Sequence, residues 1–315
     1  MNPTATMVSL AEDYLAARRQ MGFSLKPSGG QLLGFARFAD KRGHRGPVTF
    51  DLAVQWVQSA ALHTPLTWAR RLEVLRPFLK YRSQFDAGTA IVPRGYFGSA
   101  HRRLVPHIYS EQEIVALIKA TDNLQPADGL RPRTYRTLFR LLAATGLRIS
   151  EAIHLQTQDV DWVHGILTVR QTKFCKSRLV PLHITALVEL KRYVEAQERQ
   201  LGLQKDDAFF VSDTGKALHY RTVLNTFEVL RTRLGWIARG GHASPRIHDI
   251  RHTFICRSLL ESYRRNQSPD HIMDALSTYV GHVKVSDTYW YLTATPELMA
   301  VAAERFAHFV EGGVR

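Results

Sequence analysis

The sequence has few cysteines and no long apolar run. Its 315 residues include only Cys175 and Cys256, which lie far apart and match no metal-binding spacing. A disulfide scaffold and a cysteine zinc site are therefore excluded, and we expect free thiols in a reducing cytoplasm. No apolar stretch approaches the roughly 18 residues of a membrane-spanning helix. The first twenty residues also lack the basic-then-apolar order of a signal peptide.

Acidic residues are scarce relative to basic ones. The chain has 28 Asp and Glu against 42 Lys and Arg, a net charge of +14. Such an excess predicts a polyanionic partner, and nucleic acid fits better than a membrane surface. Residues 1–106 hold 15 Lys or Arg against 6 Asp or Glu, so most of the excess lies there. The first third is thus predicted to contact a phosphate backbone, although a solvated basic surface explains the charge equally well.

The length and composition are those of a globular protein with two domains. Apolar residues recur at helical spacing in the first third, where Ser9 is a candidate N-cap. These patterns predict a small all-α bundle with helices at residues 8–21, 31–42, 52–61 and 66–82. Pro77 is expected to kink the last helix or shift its end. Arg70, Arg76 and Lys80 lie away from the apolar face of that helix and are predicted to contact DNA.

A basic stretch without periodicity separates the two predicted domains. Residues 93–106 are rich in Pro, Gly and Arg, and we interpret 96–106 as a linker. We also predict phosphate contacts for three arginines of residues 93–106, namely Arg94, Arg102 and Arg103. An ordinary surface loop is the alternative.

The second part, residues 107–315, is predicted to be mostly helical. Ser110 and Glu113 have capping-box spacing, and a helix over 133–145 should end at Gly146. Three short strands are expected at 165–169, 179–182 and 208–211, followed by helices after residue 220. The predicted fold class is therefore mainly α, with one small three-stranded antiparallel sheet.

Four short segments combine residues able to carry out chemistry. They are residues 145–151 (TGLRISE), 171–178 (QTKFCKSR), 248–253 (HDIRHT), and Gly281-His282 followed by Tyr291. Singly, each has an ordinary explanation as a surface charge, a solvated turn or a core residue. In this order and spacing, over about residues 107–295, they resemble the tyrosine recombinase (phage integrase) family.

The resemblance implies an architecture and a set of catalytic residues. An α-helical core DNA-binding domain (1–95) would precede a catalytic domain (107–315). The implied catalytic residues are Arg148, Lys173, His248, Arg251, His282 and the nucleophile Tyr291, with Glu151 supporting them. Tyr291 would form a 3′-phosphotyrosyl link and Lys173 would protonate the leaving 5′ oxygen. The link conserves bond energy, so rejoining would need no ATP.

These residue types suit the attack of an oxygen nucleophile on a phosphodiester. A phosphodiester attacked by an oxygen nucleophile gains negative charge on its non-bridging oxygens, which metal ions or guanidinium groups must stabilise. Arg148 and Arg251 suit this because planar guanidinium groups donate two parallel hydrogen bonds to phosphate. We therefore expect no metal or nucleotide cofactor.

Several assignments have alternatives. The basic turn departs from the usual family pattern, so Lys176 competes with Lys173 and is also a predicted DNA contact. Tyr279 and Tyr289 compete with Tyr291. His248 and His252 are spaced like zinc ligands, but no third ligand is evident, and His252 is interpreted as a packing or supporting residue.

The sequence thus predicts a site-specific recombinase acting on double-stranded DNA, in the integration or recombination of a mobile element. It would act in the cytoplasm with the nucleoid. It would assemble as a homo-oligomer, a tetrameric synapse on DNA, through a C-terminal helix near 296–310. The alternatives are a type IB topoisomerase-like enzyme and a catalytically inactive DNA-binding regulator.

Overall fold

The computed structural model describes residues 5–101, 103–170, 177–202, 208–265, 267, 269–293, 298–300, 303, 304 and 307. The chain divides into two compact units, Met1–Arg103 and Leu104–Arg315. This division falls within the segment interpreted above as a linker. The predicted fold class, mainly α with a small three-stranded antiparallel sheet, is confirmed. Over the described residues no helix is both long and apolar enough to cross a membrane.

The first unit is helical throughout its regular structure. Threonines fix three helix starts: Thr6, Thr49 and Thr64 each accept a hydrogen bond from the backbone N–H three residues later. The prediction of Ser9 as a cap is wrong, because Ser9 donates its backbone N–H to Thr6. The helices are α1 (Met7–Gln20), α2 (Lys26–Lys41), α3 (Phe50–Gln58) and α4 (Pro65–Arg82).

Aromatic side chains fill the core between these helices. Phe35 contacts Trp56 and Phe78 edge-to-face, with ring centroids 5.4 and 6.3 Å apart. Helix α4 continues through Pro77 to Arg82, so Pro77 does not shift the predicted end of the helix. Pro77 lies on the exposed face, while its neighbour Phe78 is fully buried. Packing of the buried face therefore keeps α4 continuous, although Pro77 has no backbone N–H to donate.

Helices also form most of the second unit. Ser110 and Glu113 form the predicted capping box at the start of its first helix. The helices are α5 (Glu111–Ala120), α6 (Arg131–Thr145), α7 (Ile149–Ile153), α8 (Ile184–Leu201), α9 (Tyr220–Arg233), α10 (His248–Arg264), α11 (Pro269–Val280) and α12 (Ser286–Tyr289). Short 3₁₀ turns lie at Thr121–Asn123, Thr157–Asp159 and Trp290–Thr293.

The sheet has the predicted size but one unexpected member. Its antiparallel strands β1 (Val160–Asp161), β2 (Ile166–Val169) and β3 (Arg178–Pro181) lie in sequence order. The predicted strand at 208–211 is wrong, because Ala208 and Val211 form only isolated bridges outside the sheet. Phe209, Phe210 and Val211 are all buried. This apolar run fills the core and does not alternate between two faces of a strand.

A glycine turn connects α6 to the site. Gly146 ends α6 with φ +62°, a left-handed conformation that favours glycine. A Cβ at this position would lie 2.4 Å from Cδ1 of Phe254, so there is also no room for a side chain. The turn places Arg148 at the start of α7.

Candidate active site

Glu151 connects two arginines from different elements. Its Oε1 accepts hydrogen bonds from Nη1 of Arg148 (2.8 Å) and Nη1 of Arg178 (3.1 Å). Its Oε2 accepts from the backbone N–H of Arg148 (2.9 Å) and from Nη2 of Arg178 (2.8 Å). Arg148 is the N-cap residue of α7 and Arg178 is the first residue of β3, so the carboxylate joins the start of the helix to the sheet.

The two arginines keep this buried carboxylate ionised. Burial by itself would raise the pKa of Glu151, whose side chain is 6% exposed. Hydrogen bonds and charge from Arg178, and then from Arg148, lower that pKa to about 2 instead. Arg178 is 10% exposed and Arg148 is 30% exposed. Arg148 is thus fixed by Glu151 yet still reaches solvent.

We expect Glu151→Gln to lower the free energy of unfolding by about 3–5 kcal/mol at pH 7, the usual cost of removing one partner of a buried ion pair. A lowered carboxylate pKa stabilises the fold above the unfolded pKa, and this is lost as pH falls toward about 2. The difference between wild type and variant in urea unfolding should therefore shrink below about pH 4.

The control for this prediction is Glu189→Gln, which removes a carboxylate paired with Arg140 and Arg192 on a more exposed surface. Its cost should stay within about 1 kcal/mol. Equal losses for the two variants would show that Glu151 is not an important stabilising charge.

Arg251 is a buried cation held by main-chain carbonyls. Arg251 lies on α10 and is only 2% exposed. Nη1 donates to the carbonyl of Gly146 (2.8 Å) and Nη2 to that of Val280 (2.7 Å). Burial, and then the nearby charge of Arg148, lower the pKa of Arg251 to about 9. The site therefore concentrates positive charge that an incoming anion would stabilise.

The end of α11 and the turn after it contact the arginines. Arg148 donates from Nη2 to the carbonyl of Gly281 (3.2 Å), and Arg178 donates from Nε to that of Tyr279 (2.9 Å). Gly281 has φ +71°, and a Cβ there would lie 2.8 Å from Nη1 of Arg178. The backbone conformation therefore favours glycine before His282, and a side chain there would displace the guanidinium of Arg178.

Tyr291 lies in the same neighbourhood. It is 3% exposed, in the 3₁₀ turn that follows α12. Its hydroxyl lies 2.6 Å from Nδ1 of His252, and its ring stacks on His282 with centroids 6.1 Å apart and planes 8° apart. Tyr289, by contrast, is 42% exposed.

The remaining predicted histidines border this cluster. Nδ1 of His282 lies 2.7 Å from Oγ1 of Thr288. His248 is the first residue of α10, and its ring is perpendicular to that of His252, 4.8 Å away. Burial, and then Arg251 and Arg246, lower the pKa of His248 to about 4, so it is neutral at pH 7.

Some predicted site residues lie outside the described residues, namely Lys173, Lys176 and Arg102, and so does Cys175. Cys256 is buried in the core of the second unit. Among the residues that the structure describes, no group of three or more His, Cys, Asp or Glu side chains could hold a metal ion.

The predicted DNA contacts of the first unit are not equivalent. Lys80, Arg94 and Arg103 are exposed. Arg70 is exposed and donates from Nε to the carbonyl of Ala100 (3.4 Å). Arg76 is partly buried and its Nη1 donates to the carbonyl of Val92. The guanidinium of Arg76 therefore holds its own unit together.

Two residues of this cluster were missed or undervalued by sequence reasoning. Arg178 ends the basic turn, and nothing local indicates that it pairs with Glu151. His252 was interpreted only as a packing or supporting residue. Its position four residues after His248, on the same helical face, was the available signal.

Comparisons with known proteins identify the family of the chain. The model of the phage integrase family matches residues 108–297. The chain belongs to this family. It is 36% identical over 307 residues to protein y4rB of Sinorhizobium fredii, named as an integrase/recombinase, covering 96% of this chain and 97% of that protein. It is 30% identical over 275 residues to tyrosine recombinase XerD of Xanthomonas axonopodis pv. citri, covering 84% and 80%. The family predicted from the sequence is confirmed.

Two solved structures share the fold at low identity. The Tn1549 transposon integrase, in complex with circular intermediate DNA, has a TM-score of 0.68 and 17% identity, covering 96% of this chain and all of that one. The XerH site-specific recombinase, bound to a palindromic difH substrate, has a TM-score of 0.66 and 18% identity, covering 97% and 86%. Both indicate a recombinase fold over nearly the whole length.

Proposed function

We propose that this integrase-family chain is a site-specific recombinase that cleaves and rejoins duplex DNA through a 3′-phosphotyrosyl intermediate. One observation carries the proposal. The hydroxyl of buried Tyr291 lies 2.6 Å from Nδ1 of His252, which directly follows the buried Arg251 in α10. The Tyr291 ring stacks on His282, and the carbonyl of the preceding residue, Gly281, accepts a hydrogen bond from Arg148. A phosphodiester among these groups would meet a nucleophile and two guanidinium groups together.

Each residue then has a chemical role. Arg148 and Arg251 would stabilise charge on the non-bridging oxygens of the phosphorane. Tyr291 would attack phosphorus, and Lys173 would protonate the 5′ oxygen that leaves. His248 and His282 would contact the phosphate or the nucleophile, while Glu151 fixes Arg148. Because the arginines supply the cationic charge, we propose that the reaction needs no metal ion.

We further propose that the first unit is a core DNA-binding domain and the second the catalytic domain. The excess positive charge of residues 1–106 supports this, as do the exposed side chains of Arg70, Lys80, Arg94 and Arg103. Arg102 belongs to the same proposed surface. The solved relatives bound to DNA support double-stranded DNA as the partner.

The active form on DNA is proposed to be a homo-oligomer, a tetrameric synapse assembled through the C-terminal helix, in the cytoplasm with the nucleoid. Few residues of that segment are described. Of these, Leu298 is 3% exposed and packs in a core cluster of its own unit, whereas Met299 is 52% exposed. An exposed apolar side chain is compatible with contact to a second copy.

The test is incubation of the protein with candidate element-end DNA carrying a nick near the cleavage site, in excess EDTA. We expect a protein–DNA adduct that survives SDS, followed by strand exchange between two intact sites. Specific binding without an adduct would instead indicate a regulator. An adduct with relaxation of supercoils and no strand exchange would indicate a topoisomerase. Loss of cleavage in EDTA, restored by added metal, would contradict the metal-free mechanism.

A further inference from the structure

The hydroxyl of Tyr291 has a histidine partner that the motif comparison does not assign. His252, one residue after Arg251 on α10, places Nδ1 2.6 Å from that hydroxyl. The imidazole and phenol rings lie 5.4 Å apart at an interplanar angle of 42°. At 2.6 Å the nitrogen and the oxygen are within hydrogen-bond distance, so the two rings do more than pack against each other.

The surroundings hold the imidazole in place. Trp290 contacts the ring of His252 from the 3₁₀ turn, with centroids 6.2 Å apart, and His248 contacts it from one turn earlier in α10, at 4.8 Å. Tyr291 itself is nearly inaccessible to solvent. Water is therefore a poor competitor for the tyrosine proton in this arrangement.

The charge environment keeps His252 neutral without DNA. Burial lowers its pKa to about 2, assisted by His248, Arg246, Arg251 and His282. A neutral imidazole has a free lone pair on one nitrogen. A scissile phosphate entering between the arginines brings negative charge, which raises the affinity of the imidazole for a proton.

We propose that His252 is the catalytic residue that accepts the proton of Tyr291 when the tyrosine attacks DNA, with the hydroxyl donating to Nδ1. This inference rests on the proposed function. Tyr291 Oη forms a bond to phosphorus and the bond from phosphorus to the 5′ oxygen breaks. The phenolic proton moves to Nδ1, and the 5′ oxygen takes its proton from the lysine assigned above. On rejoining, His252 returns the proton to the departing tyrosine oxygen.

The discriminating variant is His252→Asn, whose amide places a hydrogen-bonding atom near the position of Nδ1 but cannot take up a proton. We expect adduct formation on nicked DNA to slow by about 10²–10⁴-fold, the usual contribution of general base catalysis. Site-specific DNA binding should remain, which shows that the variant is folded. A rate equal to wild type would overturn the proposal and leave His252 a holding residue.

A second variant tests the same step without relying on asparagine. His252→Ala should lose activity, and added imidazole should restore part of it by entering the vacated space. Lack of rescue in a variant that still binds DNA would count against proton transfer. The matched control is His271→Asn, on an exposed position of α11, which should behave as wild type.

DNA with a sulfur in place of the leaving 5′ oxygen separates the two ends of the reaction. A thiolate leaves without needing a proton. On this substrate, only the removal of the proton from Tyr291 still requires acid–base catalysis. His252→Asn should remain slow on this substrate. If His252→Asn forms the adduct on this substrate at the wild-type rate, His252 acts on the leaving group and the assignment is overturned. If wild type itself forms no adduct, the proposed function fails instead.

Discussion

Replacing Tyr291 with phenylalanine is expected to abolish the covalent adduct while leaving site-specific DNA binding intact. The change removes one oxygen and almost no contact area. The phenyl ring can keep its stacking on His282 and its packing in the core cluster. The lost hydrogen bond leaves Nδ1 of the buried His252 without this partner and should cost about 1–3 kcal/mol of stability. The measurement is a denaturing gel of protein incubated with nicked DNA, with gel-shift binding in parallel.

Tyr289→Phe is the matched control for this prediction. Tyr289 lies two residues away, is 42% exposed, and ends α12 just before the 3₁₀ turn. Its variant should form the adduct at the wild-type rate. An exchange of the two results would mean that the nucleophile has been misassigned, whereas adducts from both variants would point to a different nucleophile.

The family and fold class could be predicted because they depend on local signals. A glycine that ends a helix, a capping box and short motifs in a fixed order are all visible in the sequence. Gly146 illustrates this, because its left-handed conformation follows from the helix that it ends. The same turn then places Arg148 as the N-cap of the next helix.

The pairing of Glu151 with Arg178 could not be predicted in the same way. The two residues are 27 positions apart, and their contact depends on how β3 packs against the start of α7. The third strand was misplaced for a related reason. Phe209 and Phe210 have the composition of a strand, but tertiary packing buries both of them and leaves β1 to complete the sheet.

The contact between His252 and Tyr291 depends on a detail that periodicity does not provide. In an uninterrupted α-helix through residues 289–291, the side chains of Tyr289 and Tyr291 would point about 200° apart. The structure instead changes to a 3₁₀ turn at Trp290, immediately before the nucleophile proposed here. The sequence pattern predicted which residue types form the candidate site, and the fold determines which of their atoms meet.

Arg251→Lys is expected to slow adduct formation by about 10²–10³-fold, which corresponds to about 2.7–4 kcal/mol for one transition-state donor. The guanidinium of Arg251 bridges two carbonyls, those of Gly146 and Val280, from two different nitrogens. A guanidinium has further N–H groups for a phosphate. One ammonium group cannot span both carbonyls and also donate two parallel bonds to a phosphate.

The same variant should show an altered pH dependence. Burial and Arg148 already lower the pKa of Arg251 to about 9, and the ordinary pKa of lysine, about 10.4, is lower than that of arginine. A cation is charged only below its pKa. As pH rises above neutrality, the activity of the lysine variant should therefore begin to fall at a lower pH than the activity of wild type does.

Rates of adduct formation between about pH 6 and 9, together with binding affinity, check both parts of this prediction. Arg192→Lys is the control, because its side chain is 70% exposed on α8 and pairs with Glu189. It should match wild type at every pH. If Arg251→Lys also kept the wild-type rate, a single buried charge would be sufficient at this position. The geometry of the guanidinium between Gly146 and Val280 would then serve the fold and not the transition state.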